Sequence, residues 1–309
     1  STGAQVRTPV PHLNVLHTTH LSHVQISDFT MPNNPDLINT SVGTSTYGNF
    51  SNESCMIVQE MTQRGLFSEA RRRLELWIHY QGTVSQPGNF TDYQGMYFGA
   101  GGFEQGNYNQ HHGWVLWCIS EHYFLTGDAE WFVSAGASVL AACDWVFRQR
   151  KTTKEPLAHS RGWEVGFLPA GSLEDVEDFH YWLSTNALTW RAVDHAGKAL
   201  EAVGHPDARR VRAESDAYRV DLIRGFDTTR NFSPLVGLRD GSWVPHYPSR
   251  LYRRGRDYGW IREVLEGSVY LLISGLYSSN SEEAGWILDD FQDNRYLSPP
   301  NGYLLRDIP

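Results

Sequence analysis

Long apolar runs are missing from this chain of 309 residues. Nothing in it approaches the roughly 18 consecutive apolar residues of a membrane-spanning helix, so a membrane protein is excluded. The opening residues, STGAQVRTPVPHL, carry neither the basic n-region nor the apolar h-region of a secretory signal. Basic residues are outnumbered, 26 Lys and Arg against 35 Asp and Glu, for a net charge of −9. That balance argues against a nucleic-acid partner, whose phosphates need a basic surface. The runs Arg71-Arg72-Arg73 and Arg253-Arg254 are short and read as solvated helix faces or arginine–carboxylate pairs. Cysteine is scarce too. Cys55, Cys118 and Cys143 sit in apolar helical patterns, and their odd number and spacing exclude a disulfide framework and a cysteine metal site.

What is abundant is aromatic. Trp, Tyr and Phe make up 13% of an otherwise ordinary globular composition, 40% hydrophobic and 20% charged, and 11 of them are Trp. Flat apolar faces with polar edges suit stacking against sugar rings, although a large core also absorbs them.

One pattern recurs along the chain. A helical stretch ends at Gly, a few residues pass, and a new helix opens with a capping residue followed by acid and Ala. It appears at RGLFSEARRR, TGDAEWF and VGHPDARRVR, with a looser copy at SSNSEEAGW. Gly accepts the left-handed conformation past a helix end, and Ser or Asp caps the next start, so each copy predicts the tight turn of a helical hairpin. The turns at Gly65, Gly127, Gly204 and near Asn280 recur at intervals of about 60 to 80 residues, a repeat of hairpins. Periodicity predicts helices over 10–26, 52–64, 67–81, 108–126, 128–150, 179–203, 206–226, 259–276 and 281–292. Long Gly-, Asn- and Tyr-rich loops separate them at 30–50, 82–107, 155–178 and 227–257, with a small β-hairpin expected around Asp240-Gly241. Short turns on one side and long loops on the other stack hairpins into a ring, with the cleft at the long-loop end. The expected fold is all-α, an (α/α)-barrel or toroid in a single domain spanning 1–309. Its helices run from about 10 to 293, and 294–309 is a loop or truncated continuation.

Four constellations fall on the long-loop side. Glu53, at a helix start after Tyr47, is either a dipole-complementing acid or a carboxyl group aimed into the mouth. The segment YFGAGGFEQGNYNQHHGW supplies Glu104, Asn109, His111, His112 and Trp114. It has no strand before it and no Lys-Ser/Thr after it, which discounts nucleotide binding. Adjacent histidines diverge by about 100° on a helix, so sugar hydroxyls or structural bonds suit them better than a metal, and no metal or cofactor is expected. In GWEVGFLPAGSLEDVEDFHYW, Glu164 lies between Trp163, Val165 and Phe167, an apolar setting that raises a carboxyl pKa as a general acid requires. Asp178 is the expected N-cap of the next helix, Glu174, Asp175 and Glu177 belong to the acidic loop, and Tyr181 and Trp182 form an aromatic wall. The fourth group is Asp257, Trp260, Glu263 and Glu266, near another helix start, where Glu266 beside Gly267 is placed to point inward.

The hairpin ring and the stretches EARRRLELWIHYQG, NQHHGWVLWCISEHYFLTGDAEWF and YWLSTNALTWRAVDHAGKALEAVGHPDA resemble the six-hairpin glycosidase superfamily over about residues 8–293. These are (α/α)6-barrel glycoside hydrolases of the glucoamylase, α-L-rhamnosidase and debranching type. The resemblance implies a carbohydrate substrate and a loop acid at the barrel mouth that protonates the leaving oxygen. A second carboxylate then activates water from roughly 6.5–9.5 Å away, with inversion. It maps the mid-chain acid onto Glu164 and an early carboxylate onto Glu53, with Glu174 as the remaining candidate, and leaves open which is acid and which is base. The chain departs from the family in size. Four hairpins and a lone helix fall short of the twelve helices of a closed ring, which at this spacing needs about 400 residues. The expectation is therefore an open or smaller ring, or a fragment. Two alternatives accompany the hydrolase reading: a polysaccharide lyase using the Asn, His and Tyr of NYNQHHGW on a uronate polymer, and a non-catalytic carbohydrate-binding domain. A sugar-epimerase activity on a similar barrel is a remoter one.

Overall fold

The structure is a computed structural model that describes residues 4, 6–43, 48–155, 160–173, 176–256, 267–298 and 303–304. Helix α1, Pro11–Ile26, precedes a small hairpin of β1, Phe29–Met31, and β2, Asn34–Asn39. Three helical hairpins follow: α2, Ser51–Gln63, with α3, Phe67–His79; α4, His111–Thr126, with α5, Ala129–Lys151; and α6, Leu183–Ala202, with α7, Ala208–Asn231. The strands β3, Gly171–Leu173, and β4, Val176–His180, pair before α6, and β5, Leu235–Gly237, pairs with β6, Trp243–Pro245, after α7. A short α8, Val269–Ile273, and α9, Glu282–Phe291, complete the helices described.

The turns follow from backbone chemistry. Gly65, Gly127 and Gly204 adopt φ of 81°, 70° and 70°, where a side chain is disfavoured. Asp128 caps α5 through the Trp131 amide at 3.0 Å, and Ser281 caps α9 through Ala284 at 3.2 Å. The starts of α3 and α7 carry no side-chain cap, so there the turn glycine alone marks the corner.

The helices form two layers. α2, α4, α6 and α8 pack side by side in that order, while α3 leans on both α2 and α4, and α5 on both α4 and α6. This straddling of inner by outer helices is the α/α toroid. Where α4 meets α6, a Cβ on Gly113 would lie 3.1 Å from the backbone of Thr189, so glycine permits the close approach. The inner helices are correspondingly buried on most sides: α6 buries 15 of its 20 residues, Leu188, Ala192 and Leu200 among them. The cysteines are free and buried. In the arginine run, Arg73 forms a buried ion pair with Asp28, whose carboxyl is nevertheless raised above its ordinary value by burial. Arg71 pairs with Asp128 at 3.3 Å, and Arg72 donates to the Pro35 and Asp36 carbonyls.

Two expectations change. The helix predicted over 179–203 starts at Leu183, because Val176–His180 pairs as a strand; Asp178 therefore lies on β4 and is not the N-cap, which is Trp182. The helix predicted over 206–226 runs on to Asn231. The hairpin around Asp240-Gly241 is present, with Val236 opposite Val244. Among the described residues, no helix is long and apolar enough to cross a membrane.

Candidate active site

The inner helices run in parallel, so their first turns meet at the long-loop end. There Glu104, from the loop before α4, joins the starts of α2 and α4. Its Oε1 accepts the Ser51 hydroxyl at 2.6 Å and His111 Nδ1 at 2.6 Å, and its Oε2 accepts the Gly99 amide. Ser51 in turn accepts the indole N–H of Trp77 at 3.1 Å, which leaves its own proton for Glu104. With three donors on one carboxylate, the His111 proton resides on Nδ1. Its Nε2 is buried and has no partner. Tyr108 stacks on the imidazole at 4.8 Å and 9°, and Phe98 leans on it at 6.3 Å. Glu53, in the first turn of α2, is exposed, yet burial of part of its carboxyl raises its pKa, with His111 opposing.

The neighbouring predicted residues divide. His112 faces away into the wall: its Nδ1 accepts the Tyr97 amide at 3.0 Å, Trp145 packs on it at 4.6 Å, and burial pushes its pKa down to about 3. It is a neutral structural histidine. Asn109 is also buried, donating to Gln86 Oε1 at 3.2 Å and to the Pro87 carbonyl at 3.0 Å. Trp114 follows one turn below His111 and stacks on Trp117 at 5.3 Å.

Glu164 occupies a second cluster, beside the start of α6. It has no solvent exposure. Ser160 donates to its Oε1 at 2.6 Å, and the Tyr252 hydroxyl, which accepts the Trp163 amide at 3.0 Å, donates to its Oε2. Trp163 lies flat between Tyr252, at 4.8 Å and 8°, and Phe232, at 5.0 Å and 28°. Tyr181 adjoins them; burial and then the Glu164 charge push its hydroxyl up to about 12. Trp182 is scaffold, its indole donating to the Gly171 carbonyl at 2.8 Å with Arg250 over its ring. The structure thus brings Glu53, Glu104, His111 and Trp114 to one place, and Glu164, Trp163 and Tyr181 to another. Tyr47, Glu174, Asp257, Trp260, Glu263 and Glu266 lie outside the described residues, as does the side chain of Asp178.

Sequence reasoning missed Ser51, Trp77, Ser160 and Tyr252; all but Ser160, which lies four residues before Glu164, are bound to a residue far along the chain. In the first turns of three inner helices, Asn52 Oδ1, His111 Nε2, Trp114 Nε1, Ser184 Oγ and Thr185 Oγ1 are buried without hydrogen-bond partners among the described residues. Among the described residues, no three His, Cys, Asp or Glu side chains gather closely enough to hold a metal ion.

No family model matches the chain, and no characterised protein shows significant sequence similarity to it. Among solved structures, the fold is similar to a metal-independent α-mannosidase of Streptococcus pneumoniae, in a non-productive substrate complex with α-1,6-mannobiose. The TM-score is 0.60 at 9% identity, over 91% of this chain and 72% of that one. The fold defined is therefore an α/α toroid similar to that of the mannosidase. At that identity the likeness concerns the fold.

Proposed function

We propose that the chain is a glycoside hydrolase acting on an oligo- or polysaccharide at the long-loop mouth. The observation that carries this reading is the exposed Glu53, its pKa raised by partial burial, beside the Glu104–His111 pair where α2 and α4 begin. Glu53 suits acid–base work because its raised pKa keeps part of it protonated closer to neutrality. Glu164 is enclosed, with both oxygens engaged. In this reading it anchors Tyr252 and, next to it, Tyr181 in the cleft wall, and it serves as acid only if the Tyr252 hydroxyl releases it. Inversion with a second carboxylate, which the resemblance implies, remains part of the proposal.

The α-mannosidase of similar fold makes α-mannosides the first substrates to test. The experiment is release of reducing ends from α-1,6-mannobiose and a panel of neutral glycans, with the anomer of the product followed by NMR. Turnover with inversion is expected. Absence of release across the panel, with sugar-dependent tryptophan quenching, points instead to a carbohydrate-binding domain.

A polysaccharide lyase is the second reading, favoured by one arrangement. Glu104 fixes His111 as the Nδ1–H tautomer with Tyr108 stacked against it, a base and a hydroxyl side by side. A lyase leaves a conjugated double bond that absorbs in the ultraviolet, so such a product from a uronate polymer would replace the hydrolase reading.

A further inference from the structure

Helix α1 differs from the ring helices in what it shows to solvent. Its sequence, PHLNVLHTTHLSHVQI, contains no Lys, Arg, Asp or Glu in 16 residues, in a chain that is 20% charged. Of those residues, all of them described, Val24 alone is buried. The outer helix α7, by contrast, turns Arg209, Asp216 and Arg219 to solvent. What α1 turns outward is apolar and histidine-bearing. Leu13, Leu16, His20 and His23 follow at steps of three, four and three residues, which is one stripe along a helix and the spacing of a coiled-coil seam. Leu13 and Leu16 are 50% and 58% exposed, and Val15 and Ile26, beside the stripe, are 62% and 77% exposed.

The helix is nevertheless fixed in place. Arg64 donates to the His17 carbonyl at 2.6 Å and pairs with Glu60, whose other oxygen lies 3.2 Å from His20 Nε2. Asn14 bonds both the amide and the carbonyl of Thr8, at 2.7 and 3.0 Å, and Leu21 and Val24 reach the core. Helices in proteins draw most of their stability from packing an apolar face, and here the broader apolar face points away from the ring.

We propose that this face joins a second copy of the chain, α1 against α1 across a two-fold axis. Charge selects that partner. Copies with a net charge of −9 repel one another, but on α1 they meet no fixed like charge, whereas an acidic or basic partner finds nothing there to pair with. A lipid surface fits less well, because interfacial helices carry Lys and Arg on their polar face and the net charge is of the wrong sign for anionic lipids. The stripe is also self-complementary. Antiparallel crossing at Leu16 sets leucine on leucine and brings His12 of one copy level with His20 of the other. Neutral imidazole both donates and accepts, and polar seam residues fix register in coiled coils. A contact about 24 Å long and about 10 Å wide buries on the order of 1,000 Å² over both copies, the low end for a specific interface, so association is expected at micromolar concentrations.

Sedimentation equilibrium of the full chain at pH 8 tests the proposal without reference to catalysis. The mass is expected to rise from 35.1 kDa toward twice that value between about 1 and 200 µM. Leu16→Glu and Leu13→Glu each put like charges into the seam and are expected to weaken association about 100-fold or more. Both side chains are exposed, so circular dichroism and Tm stay those of the wild type. Mixing Leu16→Glu with Leu16→Lys restores a dimer, as contact of α1 with α1 requires. Val220→Glu, at an exposed valine of α7, leaves association unchanged. A monomer over the whole range, full association in both Leu16→Glu and Leu13→Glu, or equal loss in Val220→Glu would overturn the proposal. So would a monomer that sediments with phosphatidylcholine vesicles, which would assign the face to a lipid surface.

Discussion

Glu104 and His111 share a hydrogen bond of 2.6 Å with both side chains almost wholly enclosed, 2% and 0% exposed. Because the same carboxylate receives the hydroxyl of Ser51, the first residue of α2, one side chain ties together the starts of two inner helices and sets which imidazole nitrogen carries the proton. The arrangement is a carboxylate–histidine pair in the physical sense: the acceptor orients the ring and assigns its proton.

Glu104→Ala strands three donors, from Ser51, Gly99 and His111. The expected loss of unfolding free energy is about 3 kcal/mol, read as a lower urea midpoint. Glu104→Gln, whose amide can donate, is expected to lose less and to move the His111 proton toward Nε2, visible in the 15N spectrum of the labelled imidazole. An unchanged midpoint in Glu104→Ala would contradict the joining role.

Acid should weaken the fold through two buried histidines. Burial pushes His112 down to about 3 and His122 down to about 4, both below their unfolded value of 6.5. Below pH 6.5 the unfolded chain therefore binds protons that the folded chain refuses, and stability falls as pH falls. The slope is up to about 1.4 kcal/mol per pH unit for each histidine, until the folded pKa is reached. His112→Asn, which can still accept the Tyr97 amide, is expected to flatten its share of that slope in denaturation curves taken between pH 7 and 4. An unaltered slope would show that His112 is not the neutral wall residue its bonds imply.

Gly171 should tolerate no side chain. A Cβ there would fall 1.8 Å from Asn109 Oδ1, forcing Asn109 off Gln86 and the Pro87 carbonyl. Gly171→Ala is expected to cost about 2–3 kcal/mol, with a matching drop in Tm. Gly241→Ala, at a turn with open space around it but φ of 87°, is expected to cost only about 1 kcal/mol. Equal costs would remove steric contact as the reason for glycine at position 171.

The hairpins were legible because each turn is local chemistry: Gly65, Gly127 and Gly204 announce themselves within ten residues of sequence. The start of α6 was not, since the acids of VEDFH mask a strand whose partner, Gly171–Leu173, is short and glycine-led. Glu53 and His111 stood out as polar residues at helix starts. The side chains that give the site its geometry did not, because Ser51 meets Glu104 across 53 positions and Tyr252 meets Glu164 across 88. The apolar flanks of Glu164 correctly foretold burial. That burial extends to its whole carboxylate, and the degree depends on Ser160, four residues earlier, and on Tyr252, which no local pattern connects to it.

The most direct test compares two isosteric variants on whichever neutral glycan the wild-type chain cleaves. Glu53→Gln is expected to lower kcat by about 100-fold or more, the scale of a lost general acid or base, with Tm unchanged because Glu53 is exposed. Glu164→Gln is expected to lower Tm, since the Tyr252 and Ser160 hydroxyls lose a carboxylate, and to lower kcat by about 10-fold or less. The reverse order, with Glu53→Gln near full activity and Glu164→Gln inactive yet folded, would contradict the account and return the acid role to Glu164.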